Sequence, residues 1–159
     1  MATRGEFSVD PSLLAPVTLR LSGECPTYAR SHVMCRGHEI ILDEPPERDG
    51  TDLGAAPTET FAAALIGVTN VIVRRLARRD GIAIHALSVS VAATLDRRGV
   101  WLAEAVENPW EQIFQTIRIS TDASDDQLAL WQEDLPRFSP LHSLLTAAGT
   151  LLDIEWVRA

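Results

Sequence analysis

Pro57-Thr58-Glu59-Thr60-Phe61-Ala62-Ala63-Ala64-Leu65-Ile66-Gly67-Val68-Thr69-Asn70-Val71-Ile72-Val73-Arg74-Arg75-Leu76-Ala77-Arg78-Arg79-Asp80-Gly81 is the stretch on which the fold turns. Proline suits the first turn of a helix, where its missing N–H costs nothing. Helix formers run on to Arg79, and Gly81 supplies a C-terminal stop. Arg74, Arg75, Arg78 and Arg79 gather at the end where cations complement the helix dipole. They read as a solvated helix end. From Phe61 to Val73 the helix is apolar on nearly every face, and such a helix is expected to be buried on all sides. One subunit of this size covers it poorly, which points to a dimer.

Upstream, Val17 to Ser22 alternates apolar and polar as a half-buried strand does. Ala29 to Cys35 and His38 to Leu42 read as two more strands around an Arg36-Gly37 corner. Residues 1–16, with Pro11 and Pro16, read as a loosely held arm. Asp43 to Ala56 holds two prolines, two glycines and six charged residues, so it is a long loop. Loops of that length are functional or mobile.

Downstream, Ala86 to Asp96 and Val100 to Val106 read as a hairpin turning at Arg97-Arg98-Gly99. Ile113 to Ile119 is a further strand. Ser124 and Gln127 have capping-box spacing for a helix reaching about Leu135, where Pro136 ends or kinks it. Ser139-Pro140 opens a short helix to Ala148, and Leu151 to Val157 closes the chain as a strand. Strands come in runs instead of alternating with helices, which is an α+β pattern.

The 159 residues suffice for one core-bearing domain, expected over residues 17–159. A hydrophobic fraction of 46% with 23% charged residues is ordinary for a globular chain. No apolar run reaches the roughly 18 residues that cross a bilayer. The first ten residues lack the apolar stretch of a signal peptide, so the expected compartment is the cytoplasm. A net charge of −8 disfavours nucleic acid as a partner. Cys25 and Cys35 are the two cysteines, with no Cys-x-x-Cys between them. His32, His38, His85 and His142 make no metal-ligand spacing, so no metal or cofactor is expected.

Several segments, in order and spacing, resemble the OsmC-like family of osmotically inducible protein C and the organic hydroperoxide resistance proteins. They are Gly37-His38-Glu39, Leu42-Asp43-Glu44-Pro45, Gly50-Thr51-Asp52-Leu53-Gly54, Pro57-x-Glu59-x-x-Ala62-Ala63-Ala64-Leu65-x-Gly67 and Arg137-x-Ser139-Pro140. The likeness covers about residues 17–158. It implies antiparallel sheets around a long buried central helix, in an intertwined homodimer with active sites at the subunit interface. It also implies a reactive cysteine eleven residues after the helix-opening proline and a second in a Cys-Pro step. Here those positions are Val68 and Ser139. Glu59 matches the family's pocket glutamate, and Arg30, or else Arg36, its arginine.

Valine has no heteroatom. A serine hydroxyl is neither ionised at neutral pH nor oxidised by peroxide, whereas a thiolate is both nucleophilic and reversibly oxidisable. Ser139 is therefore expected to be a helix cap and Val68 core filler. The first functional expectation is a dimer that has lost the two-cysteine peroxidase site. Its interface pocket, lined by Val68, Phe61 and Phe138 with Glu59 and an arginine, takes a small apolar or weakly acidic ligand. The alternative is a hydroperoxide reductase with a relocated thiol at Cys35, beside Arg36. A Ser139–His142 hydrolytic pair lacks the Gly-x-Ser-x-Gly elbow.

Overall fold

The computed structural model describes every residue except Met1 and Phe7. The chain divides into two compact units: Ser8–Ala63, and the opening residues together with Ala64–Ala159.

The first unit carries a three-stranded antiparallel sheet of β1 (Leu21–Glu24), β2 (Ser31–Cys35) and β3 (His38–Leu42), in that order. The expected first strand begins four residues later than its alternation suggested. Leu21 pairs with Cys35, and Arg36 then turns the chain with φ 59°. Residues before Leu21 have no β2 backbone left to pair with, and Val17 and Leu19 are exposed. The long loop after β3 is ordered by one buried side chain, Asp43. Its tight path leaves room for glycine alone at position 50, where a Cβ would lie 1.6 Å from the Glu44 carbonyl oxygen.

Helix α1 (Pro57–Asp80) runs from the first unit into the second. Glu59, at the third helical position, reaches back to accept from the Ala56 N–H at 2.9 Å, half of a capping box. At the other end Gly81 has φ +68°. Ile82 N–H bonds the Ala77 carbonyl at 2.9 Å and Gly81 N–H the Arg78 carbonyl at 3.3 Å, a Schellman stop. By length and composition α1 is, among the described residues, the one helix able to cross a membrane. In this fold it is a core helix. Leu65, Thr69, Ile72, Val73, Leu76 and Ala77 form one buried stripe. The expectation of burial on all sides fails within one chain: Ala63, Ala64, Gly67 and Val71 on the opposite face are exposed.

The second unit adds β4 (Ile84–Leu95), β5 (Trp110–Thr121), α2 (Asp125–Phe138), α3 (Pro140–Ala147) and β6 (Leu151–Arg158). β5 is central, antiparallel to β4 and parallel to β6, so this sheet is mixed. The α2–α3 pair is the crossover that a parallel neighbour requires. Along β5, Ile113, Gln115, Ile117 and Ile119 are buried at every second residue and face the core. The core packs Ile72, Val73, Leu76 and Ala77 of α1 against Ile117 and Ile119 of β5 and Leu128, Trp131 and Leu135 of α2.

Two further expectations are corrected. Val100 to Val106 is not a strand; β4 pairs instead with β5, Leu95 opposite Trp110. The Arg98 guanidinium grips Asp96 at 2.6 Å and Glu104 at 2.6 Å, and Leu102 takes φ 56°. That local network bends the segment into a loop closed by the Asp96 N–H on the Pro109 carbonyl, 2.8 Å. α2 also passes through Pro136 to Phe138. A proline in the last turn forfeits a single helical hydrogen bond, and the Ser139 N–H still reaches the Leu135 carbonyl at 3.0 Å. Ser124 caps α2 by accepting from the Gln127 N–H, as its spacing predicts.

Candidate functional site

Thr69 lies on the buried stripe of α1, one residue past Val68. Its hydroxyl donates to the Leu65 carbonyl at 2.7 Å, and that bond sets the direction of a longer chain, because a carbonyl can only accept. With its proton committed, Thr69 Oγ1 accepts from Gln115 Nε2 at 2.9 Å. Gln115 Oε1 then faces His142 Nε2 at 2.9 Å, so Nε2 carries the ring proton. His142 Nδ1 is left as an acceptor, and Ser139 Oγ, 2.6 Å away, donates to it. The same Ser139 oxygen accepts from the His142 N–H at 3.5 Å, capping α3. Four side chains from α1, β5 and the α2–α3 junction thus form one directed polar chain. Thr69, His142 and Ser139 have no exposed surface and Gln115 has 1%. Burial lowers the His142 pKa to about 4, so the ring is neutral near pH 7, as its tautomer requires.

This arrangement fixes geometry and is poorly suited to acyl transfer. A neutral glutamine behind the imidazole cannot stabilise an imidazolium as a carboxylate does. A base with its pKa near 4 is a poor proton acceptor at neutral pH. Ser139 caps α3 as expected. Val68 is half-buried and packs against the core cluster. Sequence reasoning missed Thr69 and Gln115. The signal was present: a glutamine in phase with Ile113, Ile117 and Ile119, and a threonine four residues from both Leu65 and Val73.

In the first unit, Arg30 is half-buried and its Nη1 donates to Thr51 Oγ1 at 3.3 Å, while its Nε is buried with no partner. Thr51 in turn donates to Asp43 Oδ2 at 2.5 Å. Asp43 also accepts from the Glu44, Thr51 and Leu53 N–H groups at 2.9, 3.3 and 3.2 Å. These bonds, the Thr51 hydroxyl first, hold its carboxyl below the usual range. Arg36 instead sits exposed on the β2–β3 corner. Glu59 spends one carboxylate oxygen on the α1 cap, and Phe138 is 57% exposed. Asp43→Ala is expected to free the loop: trypsin cleavage at Arg48 quickens by about tenfold or more, read by gel and mass.

Both cysteines are free thiols. Cys35 ends β2, half-buried. Cys25 Sγ lies 3.4 Å from Ser31 Oγ, four residues back along the same strand. Four residues of strand span about 13 Å, beyond the roughly 7 Å between Cα atoms that a disulfide tolerates. His32 does not approach His38; it bonds Glu39 Oε1 at 2.8 Å. No group of three or more metal-capable side chains occurs among the described residues.

The model of the family described as OsmC-like protein matches residues 50–155, two thirds of the sequence, and the chain belongs to that family. Solved structures share the fold. An OsmC-like protein from Mycoplasma pneumoniae superposes with a TM-score of 0.76 at 13% identity, over 91% of this chain and 99% of its own. The organic hydroperoxide resistance protein OsmC of Legionella pneumophila gives 0.66 at 15%, over 91% and 98%. A Vibrio cholerae O1 protein described as an organic hydroperoxide resistance protein, with captopril in one of its active sites, gives 0.64 at 12%, over 91% and 92%. A comparison with curated protein sequences finds no match.

Proposed function

We propose that this chain forms an OsmC-like homodimer that binds a small apolar or weakly acidic molecule and has given up thiol peroxidase chemistry. One observation carries the reading: the two positions where the family resemblance places sulfur hold Val68 and a Ser139 whose hydroxyl is committed to His142. The remaining thiols are too far apart to resolve one another within the chain, Cys25 lying beside Ser31 at the start of β2 and Cys35 at its end. The exposed face of α1, with Val71 42% exposed, is apolar surface that a second copy would cover. The ligand pocket is assigned to the dimer interface beside Val68, with Arg30 as the group that favours an acid. The Vibrio cholerae relative, which holds captopril in an active site, supports a small-molecule occupant.

Two measurements test this. With dithiothreitol as reductant, the protein consumes cumene hydroperoxide no faster than buffer, and Cys35→Ser changes nothing. Turnover in the parent that disappears in Cys35→Ser establishes the relocated-thiol enzyme instead. In calorimetry, octanoate binds with a Kd of about 0.1 mM or tighter. Arg30→Ala weakens octanoate by about tenfold and leaves octanol unchanged, because only the acid uses the guanidinium. Equal loss for both ligands removes Arg30 from the site.

A further inference from the structure

Far from the polar chain, the C-terminal end of α1 meets α2 around two buried carboxylates. The Asp80 side chain is 2% exposed and that of Asp134 has no exposed surface. Asp80 accepts from Arg79 Nε at 2.8 Å and Nη2 at 3.1 Å, from Gln127 Nε2 at 2.6 Å and from Trp131 Nε1 at 2.7 Å. Asp134 accepts from Arg79 Nη1 at 2.7 Å, with the Arg137 guanidinium 3.5 Å away. These partners belong to the two helices themselves, so the carboxylates are already held in place. Burial alone would raise both pKa values; for Asp80 the Arg79 guanidinium, and for Asp134 Arg4 and Arg79, outweigh it and keep both well below the usual range.

Three consecutive residues from the start of the chain lie on this frame. The Thr3 carbonyl accepts from Gln127 Nε2 at 3.4 Å. Arg4 Nε donates to both oxygens of Asp134 at 3.1 and 2.9 Å, and its Nη2 to Glu133 at 3.0 Å. The Gly5 N–H donates to Asp80 at 2.8 Å. A Cβ on Gly5 would lie 2.3 Å from the Arg79 carbonyl oxygen, a backbone atom that cannot move aside cheaply. The expected loose arm is therefore fastened at Arg4 and Gly5.

We propose that this surface is a peptide seat selective for an Arg–Gly pair, filled here by the chain's own Arg4–Gly5 acting as an intramolecular ligand. The forked guanidinium spans two acidic side chains, which a lysine ammonium cannot do in the same way. The glycine requirement follows from the close backbone approach. With the cation withdrawn, the seat keeps three carboxylates, Asp80, Asp134 and Glu133, against two arginines, so it attracts a cationic segment. Tethering makes binding of the native segment intramolecular, which favours it over a competitor in solution.

The test uses the full chain with Arg4→Ala and Gly5→Ala, which empties the seat and leaves every group of the frame in place. The probe is the acetylated, amidated peptide Ala-Thr-Arg-Gly-Glu, and the readout is the Trp131 indole N–H resonance in nitrogen-labelled protein. The expected result is a saturable shift at millimolar peptide. A peptide with Lys for Arg binds about tenfold more weakly, and one with Ala for Gly gives no shift. Wild-type protein, its seat filled, gives none with any peptide. Equal binding of all three peptides, binding to the wild type, or no binding by a variant that melts cooperatively each overturns the proposal. Should the variant not fold, the Gly5 amide of the wild type decides: exchange slowed by about a hundredfold relative to the free peptide supports the seat, and unprotected exchange removes it.

Discussion

Val68→Cys combined with Ser139→Cys is expected to turn this protein into a hydroperoxide reductase, raising cumene hydroperoxide consumption with dithiothreitol by about a hundredfold or more over the parent. Each substitution supplies half of a cycle. The thiolate introduced at position 68 attacks a peroxide oxygen, the O–O bond breaks, and the alkoxide leaves to take up a proton as alcohol. Sulfur is oxidised to a sulfenic acid as the peroxide is reduced. The thiol introduced at position 139 condenses with that sulfenic acid, releasing water and forming a disulfide, which dithiothreitol reduces. Position 139 suits a thiol because it opens α3, where the helix dipole favours a thiolate, with His142 Nδ1 within reach of the present hydroxyl at 2.6 Å. Val68→Cys alone reaches the sulfenic acid, trappable by dimedone, and Ser139→Cys alone does nothing. A folded double variant that ignores peroxide shows that these are not the family's thiol positions, and the proposed loss of function loses its basis.

The fold was legible where local chemistry and tertiary packing agree. Pro57 and Gly81 bracket α1 because one lacks an N–H that the first turn does not need and the other takes the positive φ of the stop. Ser124 and Ser139 cap helices from their spacing alone. Legibility failed where polar side-chain bonds decide. Val100 to Val106 has strand composition, but Arg98 bonds Asp96 before the segment and Glu104 within it, and no hydrophobic pattern reports that. The polar chain is a different failure. Thr69 and Gln115 each look like one polar residue in an apolar run. Only the packing of α1 on β5 shows that they meet, 46 residues apart in sequence. The fastening of Arg4 and Gly5 to Asp134 and Asp80 was invisible for the same reason.

Gln115→Leu carries the second large effect, on stability. It orphans the His142 Nε2–H and removes the donor to Thr69 Oγ1, both at fully buried side chains. A buried unsatisfied group costs about 1–3 kcal/mol, and leucine recovers part of that through apolar burial, so a net loss of about 3 kcal/mol is expected. For a chain of this size that lowers Tm by about 10 °C. The pH dependence identifies the cause. His142 has its pKa at about 4 in the folded chain against an ordinary 6.5. Between those values the unfolded chain binds a proton that the native chain refuses, so stability falls as pH drops through the window and is complete above it. The full span is worth about 3 kcal/mol at most. Asp80 and Asp134 act lower: their depressed pKa values confer stability that is lost only as pH falls below about 4. His142→Phe therefore flattens the pH 4–6.5 region of the stability curve and leaves the acid limb. Gln115→Glu does the reverse, because a carboxylate facing Nε2 favours the imidazolium, and stability then declines as pH rises through the raised His142 pKa. A wild-type curve that is flat from pH 4 to 6.5 removes the neutral, proton-ordered His142 from this account and returns Ser139 to the status of a simple cap.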